Sequence, residues 1–379
     1  MVWYQLWRGI GVETEFAVIG GGIVGLSLAF GLQRLGKQVT VFDEGDQAFR
    51  ASRGNFGLVW VQGKGAELPD YARWTRLSAS LWPSFRDELE GEANVRLELN
   101  QTGGLDICLS EGDLEAAVTR LEGLCAALGG DYPYELLGHN ALKELVPETG
   151  PTVAGATFSP EDGHVNPLYL MRALHAAFVR RGGTVTNGSR VKRIAPQSAG
   201  FLIDNGAEHR AHQVVLAAGL GNGELAPMVG LDAPVKPSRG QILVTERVKP
   251  FLNYATAHIR QVGEGAVQIG DSKEDVGFND ETTPNVAAAI ARRAMRIFPI
   301  LEHVRVVRTW GALRVMSPDG FPIYQQSTAC PGASLVTCHS GVTLAAAHTL
   351  ELAPWIGGGA RPPYVESFGV ERFQLPTSA

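Results

Sequence analysis

The run FAVIGGGIVG, Phe16 to Gly25, limits what this chain can fold into more than any other stretch, because a short apolar strand turns through three glycines into a helix. Gly20, Gly22 and Gly25 stand at the G-x-G-x-x-G spacing. The first makes the tight turn, the second lets backbone approach a pyrophosphate, and the third lets helix pack on strand. The N–H groups that open the helix then face the phosphates. The flanks complete a dinucleotide-binding βαβ unit: Ile23 to Leu35 is apolar along one face, stops at Gly36 and leads into a second strand, Val39 to Phe42. Asp43 ends that strand about twenty residues past the glycine turn, where a carboxylate accepts hydrogen bonds from both hydroxyls of an adenosine ribose. Glu44 is the rival, and an ordinary solvated turn acid is the plain reading of either. The strand register favours Asp43.

The chain of 379 residues is long enough for two domains with large cores. Its 45% hydrophobic and 19% charged residues describe a globular α/β protein rather than a disordered or fibrous one. A formal charge of −6 offers no global electrostatic reason to bind nucleic acid. Cys108, Cys125, Cys330 and Cys338 match no C-x-x-C spacing, which argues against a zinc site or a disulfide framework and for free thiols. Cys338 beside His339 reads as a small buried apolar residue. No apolar run reaches the ~20 residues of a membrane span. The leader MVWYQLWRGIGVETE lacks the apolar stretch of a signal peptide and reads as a ragged extension whose Trp3, Tyr4, Leu6 and Trp7 could meet a membrane or partner.

Past Asp43, the segment Phe49 to Gly65 is too rich in glycine for a helix and too apolar for a linker, and reads as a loop wrapped around a ligand. Helical spacing recurs at Leu77 to Leu89 and Leu114 to Leu128, with a strand-like GGLDICLS between. HVNPLYLMRALHAAFVRRGG predicts a turn and an amphipathic helix, and Thr184 to Ile194 a strand. QVVLAAG, Gln213 to Gly219, is an apolar strand ending in small residues that let a backbone or cofactor approach. Alternating strands fill Pro234 to Phe278, a helix covers Val286 to Ile297, and WGALRVMSPDGFPIY, ASLVTC and HSGVTLAAAHTLELA end the chain as strands and a helix. Nucleotide-binding pieces are thus interrupted by insertions, so the second domain is discontinuous.

In order and spacing, these motifs together resemble the D-amino-acid oxidase and glycine/sarcosine oxidase family of FAD enzymes over nearly all of residues 15 to 375. The resemblance implies a Rossmann-like FAD-binding domain of glutathione-reductase type over 15–80, 150–225 and 315–375. It also implies a discontinuous α+β substrate domain on an antiparallel sheet over 81–149 and 226–314. It carries over Gly20, Gly22, Gly25 and Asp43 as FAD contacts, and matches the loop along the flavin with Ser52, Arg53, Asn55 and Gly57 at S-x-x-N-x-G spacing. Val191 is placed like the residue whose backbone meets the adenine, and Ala217, Ala218 and Gly219 match the small-residue strand end. PSRGQ, Pro237 to Gln241, and Trp310, Leu313, Arg314, Pro318, Asp319 and Gly320 match two later motifs. HSGVTLA, with Gly341, Val342, Thr343 and Leu344, looks like the helix that points its positive end at the flavin pyrimidine. Within the family, RASRGNFGLVWVQGKG is most similar to the FAD-carrying B subunits of bacterial opine oxidases and their hydroxyproline-dehydrogenase relatives.

The resemblance makes Arg314 the holder of a substrate carboxylate, against the plain reading of an arginine bridging two domains. His258 falls near a substrate-facing position and Arg260 lies two residues along the same strand face, where a solvent-exposed polar face is equally open. His339 stands near the flavin, with capping or hydrogen bonding as the plainer role. Gln268 occupies the approximate place of a lysine associated with oxygen activation in sarcosine-oxidase relatives, which argues for a dehydrogenase. Val315 replaces the proline of many relatives, and no cysteine matches a flavin attachment, so FAD is expected to be noncovalent. Asn166, Asp271, Glu274 and Asp275 read as solvated loop residues.

The implied activity is oxidation of an amino acid or N-substituted amino acid, of opine, hydroxyproline or D-amino-acid type, by hydride transfer from Cα–H to flavin N5, with electrons passed to an acceptor other than oxygen. The implied partners are a second flavoprotein subunit and a small iron-sulfur subunit, with no integral membrane segment. The implied place is the cytoplasm or the inner-membrane periphery through those partners. Three alternatives stand beside it: an oxygen-using oxidase, an electron-relaying subunit inert without its partners, and an NAD-dependent dehydrogenase. The last leaves Ser52 to Gly57 and HSGVTLA unexplained.

Overall fold

The computed structural model describes residues 14–45, 51–188 and 190–373, so the leader and part of the expected loop from Phe49 lie outside the described residues. The first strand, Thr14–Ile19, is apolar from Phe16 onward, where both of its faces are covered. Phe16 and Val18 point into a core with the helices Ile23–Arg34 and Pro167–Arg180, whereas Ala17 and Ile19 enter a second core with Val191, Phe201 and Leu225. Alternation of side chains along a strand produces this division. Parallel neighbours on either side are Val39–Phe42 and Glu208–Leu216, followed outward by Thr184–Thr186 and Ala333–Thr337. Three distant parts of the chain therefore meet in one sheet.

The expected strand from Thr184 to Ile194 is in fact two. Thr184–Thr186 ends at the positive-φ Gly188, and the chain resumes as Arg193–Gln197, which pairs with Gly200–Asp204 in a hairpin laid against Glu208–Leu216. Val191 lies between them, buried. Asn166, read as a loop residue, caps the helix Pro167–Arg180: its Oδ1 accepts from the N–H groups of Leu168 at 3.1 Å and Tyr169 at 3.4 Å.

The long helix Pro69–Ala93 starts with proline in its first turn and ends at Asn94 in left-handed conformation. Its buried side carries Trp74, Trp82 and Phe85 into the main core. Ser78 Oγ and Trp82 Nε1 donate to the Thr343 carbonyl at 2.7 and 3.0 Å, which anchors the carboxy-terminal loop from beneath.

Two further four-stranded sheets sit beside the first, along with a two-stranded pairing of Leu58–Val59 with Gly163–His164. One joins Ala255–Thr256, Gly104–Cys108, Gly155–Ser159 and Glu135–Gly138. The other is antiparallel, in the order Ile259–Gln261, Ala266–Ile269, Lys236–Arg247, Val306–Met316. Leu243, Ile259, Val267 and Ile269 bury one face of this second sheet against the helix Pro284–Ile297. Its other face carries the polar residues described below. Among the described residues, no helix is long and apolar enough to cross a membrane.

Candidate active site

The glycine turn closes against the end of the strand Glu208–Leu216. Gly20 has φ +110, and a Cβ there would stand 2.4 Å from the Ala217 carbonyl oxygen; one on Gly25 would stand 1.9 Å from the Gly20 oxygen. Only bare backbone allows strand, turn and helix to meet this closely. Asp43 braces the turn from the neighbouring strand end: its Oδ2 accepts from Gly21 N at 2.6 Å and its Oδ1 from Gly45 N at 2.8 Å. Each carboxylate oxygen keeps a second acceptor site for a ribose hydroxyl. Glu44 instead approaches Arg190, at 3.9 Å.

Beside this turn lies a cleft of about 370 Å³. Gly20, Gly22 and Asp43 line it on one side and Ser52, Arg53 and Asn55 on another; Val191, Gly219, His339, Gly341 and Val342 complete it. Gly25 and Gly57 act from behind the lining. Gly57 has φ +92 and accepts no side chain, since a Cβ would meet the Val165 oxygen at 2.4 Å. Asn55 Oδ1 accepts from Gly57 N at 2.7 Å, and Ser52 Oγ accepts from Ile23 N at 3.0 Å. The cleft fits FAD on three counts. The helix Ile23–Arg34 opens on it with no acidic residue in its first turn, so its positive end faces an anion unopposed. The turn presents backbone, with a Cβ on Gly22 falling 2.8 Å from Ser52 Oγ. Asp43 lines the cleft with a carboxylate of the kind that can accept from ribose hydroxyls.

The carboxy-terminal segment differs from the expected helix. Gly341 to Leu344 form turns, and the helix proper starts at Ala345. Thr343 is withheld from the cleft by its own bonds: Oγ1 accepts from Trp60 N at 3.1 Å and Lys64 Nζ at 3.3 Å and donates to the Leu58 oxygen at 3.2 Å. Leu344 is fully buried in the main core. These two residues shape the loop, while Gly341 and Val342 face the cleft.

Arg314 stands on the polar face of the antiparallel sheet, which forms a roof. Opposed residues of adjacent strands share a face, and the pairs Arg314–Ser238, Trp310–Ile242, Gln268–Val244 and Arg260–Gln268 trace it across four strands. Trp310 Nε1 donates to the Gly54 oxygen at 3.2 Å, which sets this face against the loop after Ser52. The Arg314 guanidinium lies over Gly240, where any Cβ would collide with it. It donates to Asp271 Oδ2 at 2.5 Å and the Ser272 oxygen at 2.8 Å. His258 Nδ1 approaches Asp271 Oδ1 at 3.5 Å, and Arg293 donates to the Gly270 oxygen at 2.6 Å and the Asp271 oxygen at 3.0 Å. Burial raises the Asp271 carboxyl, but His258, Arg314 and Arg293 outweigh it and hold it below the ordinary value. Asp271 is therefore no solvated loop acid. Glu274, likewise read as solvated, accepts from Arg239 at 2.6 Å and Gln241 at 2.9 Å.

Beneath His339 runs a second polar chain. Lys64 Nζ donates to Ser340 Oγ at 2.8 Å, and Tyr71 Oη donates to the same oxygen at 2.9 Å. Burial lowers Lys64 to about 8 against the attraction of Asp162. His339 opens to the cleft, yet the surrounding protein, then Lys64 and Arg314, lower its pKa and keep the imidazole neutral. Cys338 is half-buried, and burial pushes its thiol up to about 12. All four cysteines are free.

Residues 15–355 match the family described as DAO, FAD dependent oxidoreductase. The chain belongs to this family. The opine oxidase B subunit of Rhizobium meliloti is 43% identical over 363 residues, covering 95% of this chain and 98% of the relative. The corresponding opine oxidase chain of Agrobacterium tumefaciens (strain Ach5) is 44% identical with the same coverage of both chains. Glycine oxidase from Geobacillus kaustophilus shares the fold, with a TM-score of 0.85 over 97% of this chain and 99% of that one at 22% identity. As a member of the DAO family, the protein is an FAD-dependent oxidoreductase.

Sequence reasoning about this DAO-family chain missed Asp271, Arg293, Lys64 and Asp162. Arg314 and Asp271 are 43 positions apart and Lys64 and Ser340 are 276 apart, so no local spacing announces either pair. The nearest signal was the placement of Lys64 inside the ligand-wrapping loop.

Proposed function

We propose that this protein oxidises an amino acid or N-substituted amino acid at its Cα–H, with a substrate of opine, hydroxyproline or D-amino-acid type. The observation that carries the reading is Arg314, a partly buried guanidinium on the roof of the site. Its bonds to Asp271 and Ser272 leave further N–H donors for a planar two-pronged grip on a carboxylate. The bound FAD supplies the hydride acceptor. The chain's task is to hold the carboxylate, aim the Cα–H and keep the amine neutral. Lys64 and Arg314, which add to the desolvation that lowers the His339 pKa, also disfavour a substrate ammonium nearby. His339 then serves as an uncharged acceptor for the amine N–H, and His258 helps to orient Asp271 and through it Arg314.

Gln268 on the roof, at the approximate place where sarcosine-oxidase relatives carry lysine and glycine oxidase relatives do not, supports electron delivery to an acceptor other than oxygen. Likeness to proteins named as one subunit of an opine oxidase supports companion subunits, in our reading a second flavoprotein and a small iron-sulfur protein that could hold the chain at a membrane surface. FAD is held without a covalent bond.

The test is anaerobic titration of the FAD-loaded chain with candidate amino acids and opines, followed by flavin absorbance. Bleaching by one class, with slow recolouring in air, is the expected outcome. Arg314→Ala should weaken that substrate by about 100-fold or more, in line with loss of a charge-assisted bidentate contact, while FAD content stays unchanged. Equal substrate affinity in wild type and variant would remove Arg314 from the site. A flavin that bleaches only when companion subunits are added would make the chain an electron-relaying subunit.

A further inference from the structure

Phe278 is the most exposed large apolar side chain among the described residues, at 72%, yet it lines the same cleft as the glycine turn. A single apolar side chain in water needs no explanation by itself. What sets Phe278 apart is how firmly its backbone is held. The connection from the strand Ala266–Ile269 to the helix Pro284–Ile297 first runs along the strand Lys236–Arg247, where Arg239 and Glu274 exchange both backbone hydrogen bonds, at 2.9 and 3.0 Å. The buried Arg239 side chain then grips the loop on either side of Phe278: Nη2 donates to Glu274 Oε2 at 2.6 Å and Nη1 to Asn279 Oδ1 at 2.9 Å. At the far end of the loop, Gln241 Oε1 accepts from Thr283 N at 3.0 Å.

Between these ties the chain turns at Gly277, whose φ is +60, and comes down on Gly311 of the strand Val306–Met316. A Cβ on Gly311 would strike the Asp280 carbonyl oxygen, so the loop rests on this strand only because the strand is bare backbone there. Alternation places Leu313 and Val315 on the same strand face as Gly311, and both line the cleft with Phe278. Val315 Cγ2 would stand 3.4 Å from a Cβ on Gly219, which joins this wall to the small residues after the strand Glu208–Leu216. The fold thus fixes an aromatic residue on one wall of the FAD cleft and presents its ring as apolar surface, which gains free energy when a ligand covers it.

We infer that Phe278 is a cover for the flavin half of FAD, its ring packing against the bound cofactor, and that Gly311 positions it by letting the loop lie on the strand. The glycine turn and Asp43 suit the nucleotide half. The flavin half belongs beside the strand that carries Arg314, since the substrate must meet both, and the Phe278 loop rests on that strand. This placement of the flavin rests on the amine-oxidation reading above.

The test titrates FAD, and ADP as the nucleotide half alone, into the FAD-free full-length protein, with flavin fluorescence and calorimetry as readouts. Phe278→Ala should weaken FAD by about 10-fold or more, the worth of covering most of a phenyl ring, and leave ADP within about twofold. Phe278→Tyr should keep most of the FAD affinity. Gly311→Ala, which retains the ring but lifts the loop, should also weaken FAD and spare ADP. FAD affinity within twofold of wild type in Phe278→Ala overturns the cover, as does an equal loss for FAD and ADP, which marks a cleft disturbed as a whole. Unchanged FAD affinity in Gly311→Ala overturns its positioning role. Failure of the amine-oxidation reading is seen separately, as a wild-type flavin that no candidate substrate bleaches.

Discussion

At the scale of single residues, the site is governed by buried charges whose partners come from other elements. Asp162 is a clear case: its carboxylate accepts from Val61 N at 2.5 Å, Gln62 N at 3.2 Å and Gln62 Nε2 at 2.9 Å, and so shapes the loop that carries Lys64. Burial nevertheless raises its pKa to about 7, with those bonds and Lys64 opposing. A carboxyl raised on folding contributes stability that is fully present below its unfolded pKa and lost as pH climbs toward the folded one. The wild type should therefore lose stability relative to Asp162→Asn between about pH 4 and pH 7, at up to ~1.4 kcal/mol per pH unit for one proton. Urea unfolding of both proteins at several pH values in that range measures the gap, and a constant gap would mean that Asp162 titrates normally. The same scale separates what pattern could show from what it could not. Arg314 was legible because its motif is contiguous, whereas its counterion Asp271 reaches it from 43 positions away.

At the scale of elements, the strand, turn and helix from Thr14 to Arg34 work as one piece because three backbones are in near contact. Gly25→Ala places a methyl 1.9 Å from the Gly20 oxygen, so the helix must retreat from the strand end. Overpacking of this kind typically costs ~1–3 kcal/mol, and retreat also turns the helix end away from the pyrophosphate. The variant should unfold at lower denaturant and be purified with less FAD; normal FAD content would show that the helix end is not part of the site. Here the spacing of three glycines was enough to foresee the turn, although only Gly25 answers a local neighbour, Gly20, while Gly20 and Gly22 are confined by the distant Ala217 and Ser52. The carboxy-terminal loop was harder to read. HSGVTLA resembles a helix start, but Lys64, Trp60 and Leu58 bind the Thr343 side chain and Ser78 and Trp82 bind its carbonyl, and these contacts hold a turn where local propensity would continue a helix.

At the scale of the whole molecule, the cleft is assembled from the turn at Gly20, the strand end at Ala217 and the loop at His339, brought together only by the parallel sheet. A ligand that spans such segments binds the folded chain and not the unfolded one. At a hundredfold excess over its dissociation constant, a ligand of this kind adds ~2.7 kcal/mol to stability. The FAD-free protein should melt at a lower temperature than the holoprotein, and its Tm should climb with added FAD. A Tm indifferent to FAD would place the cofactor outside this cleft.

Sequence alone determined what depends on neighbours along the chain: the βαβ start, the short apolar strand that opens it, and the carboxylate of Asp43 at the end of the second strand. It read His258 and Arg260 as sharing one strand face, but the strand is Ile259–Gln261, so period-two alternation sets the face of Arg260 while His258 lies in the bend before it. Only the tertiary structure decided what that face meets. It laid the face against Phe56 and Gly57, buried Arg260 with no hydrogen-bonded carboxylate and joined Arg314 to Asp271. The reason is physical: backbone conformation is set over a few residues, whereas the energy of a buried charge depends on whichever distant groups the fold brings within a few ångströms.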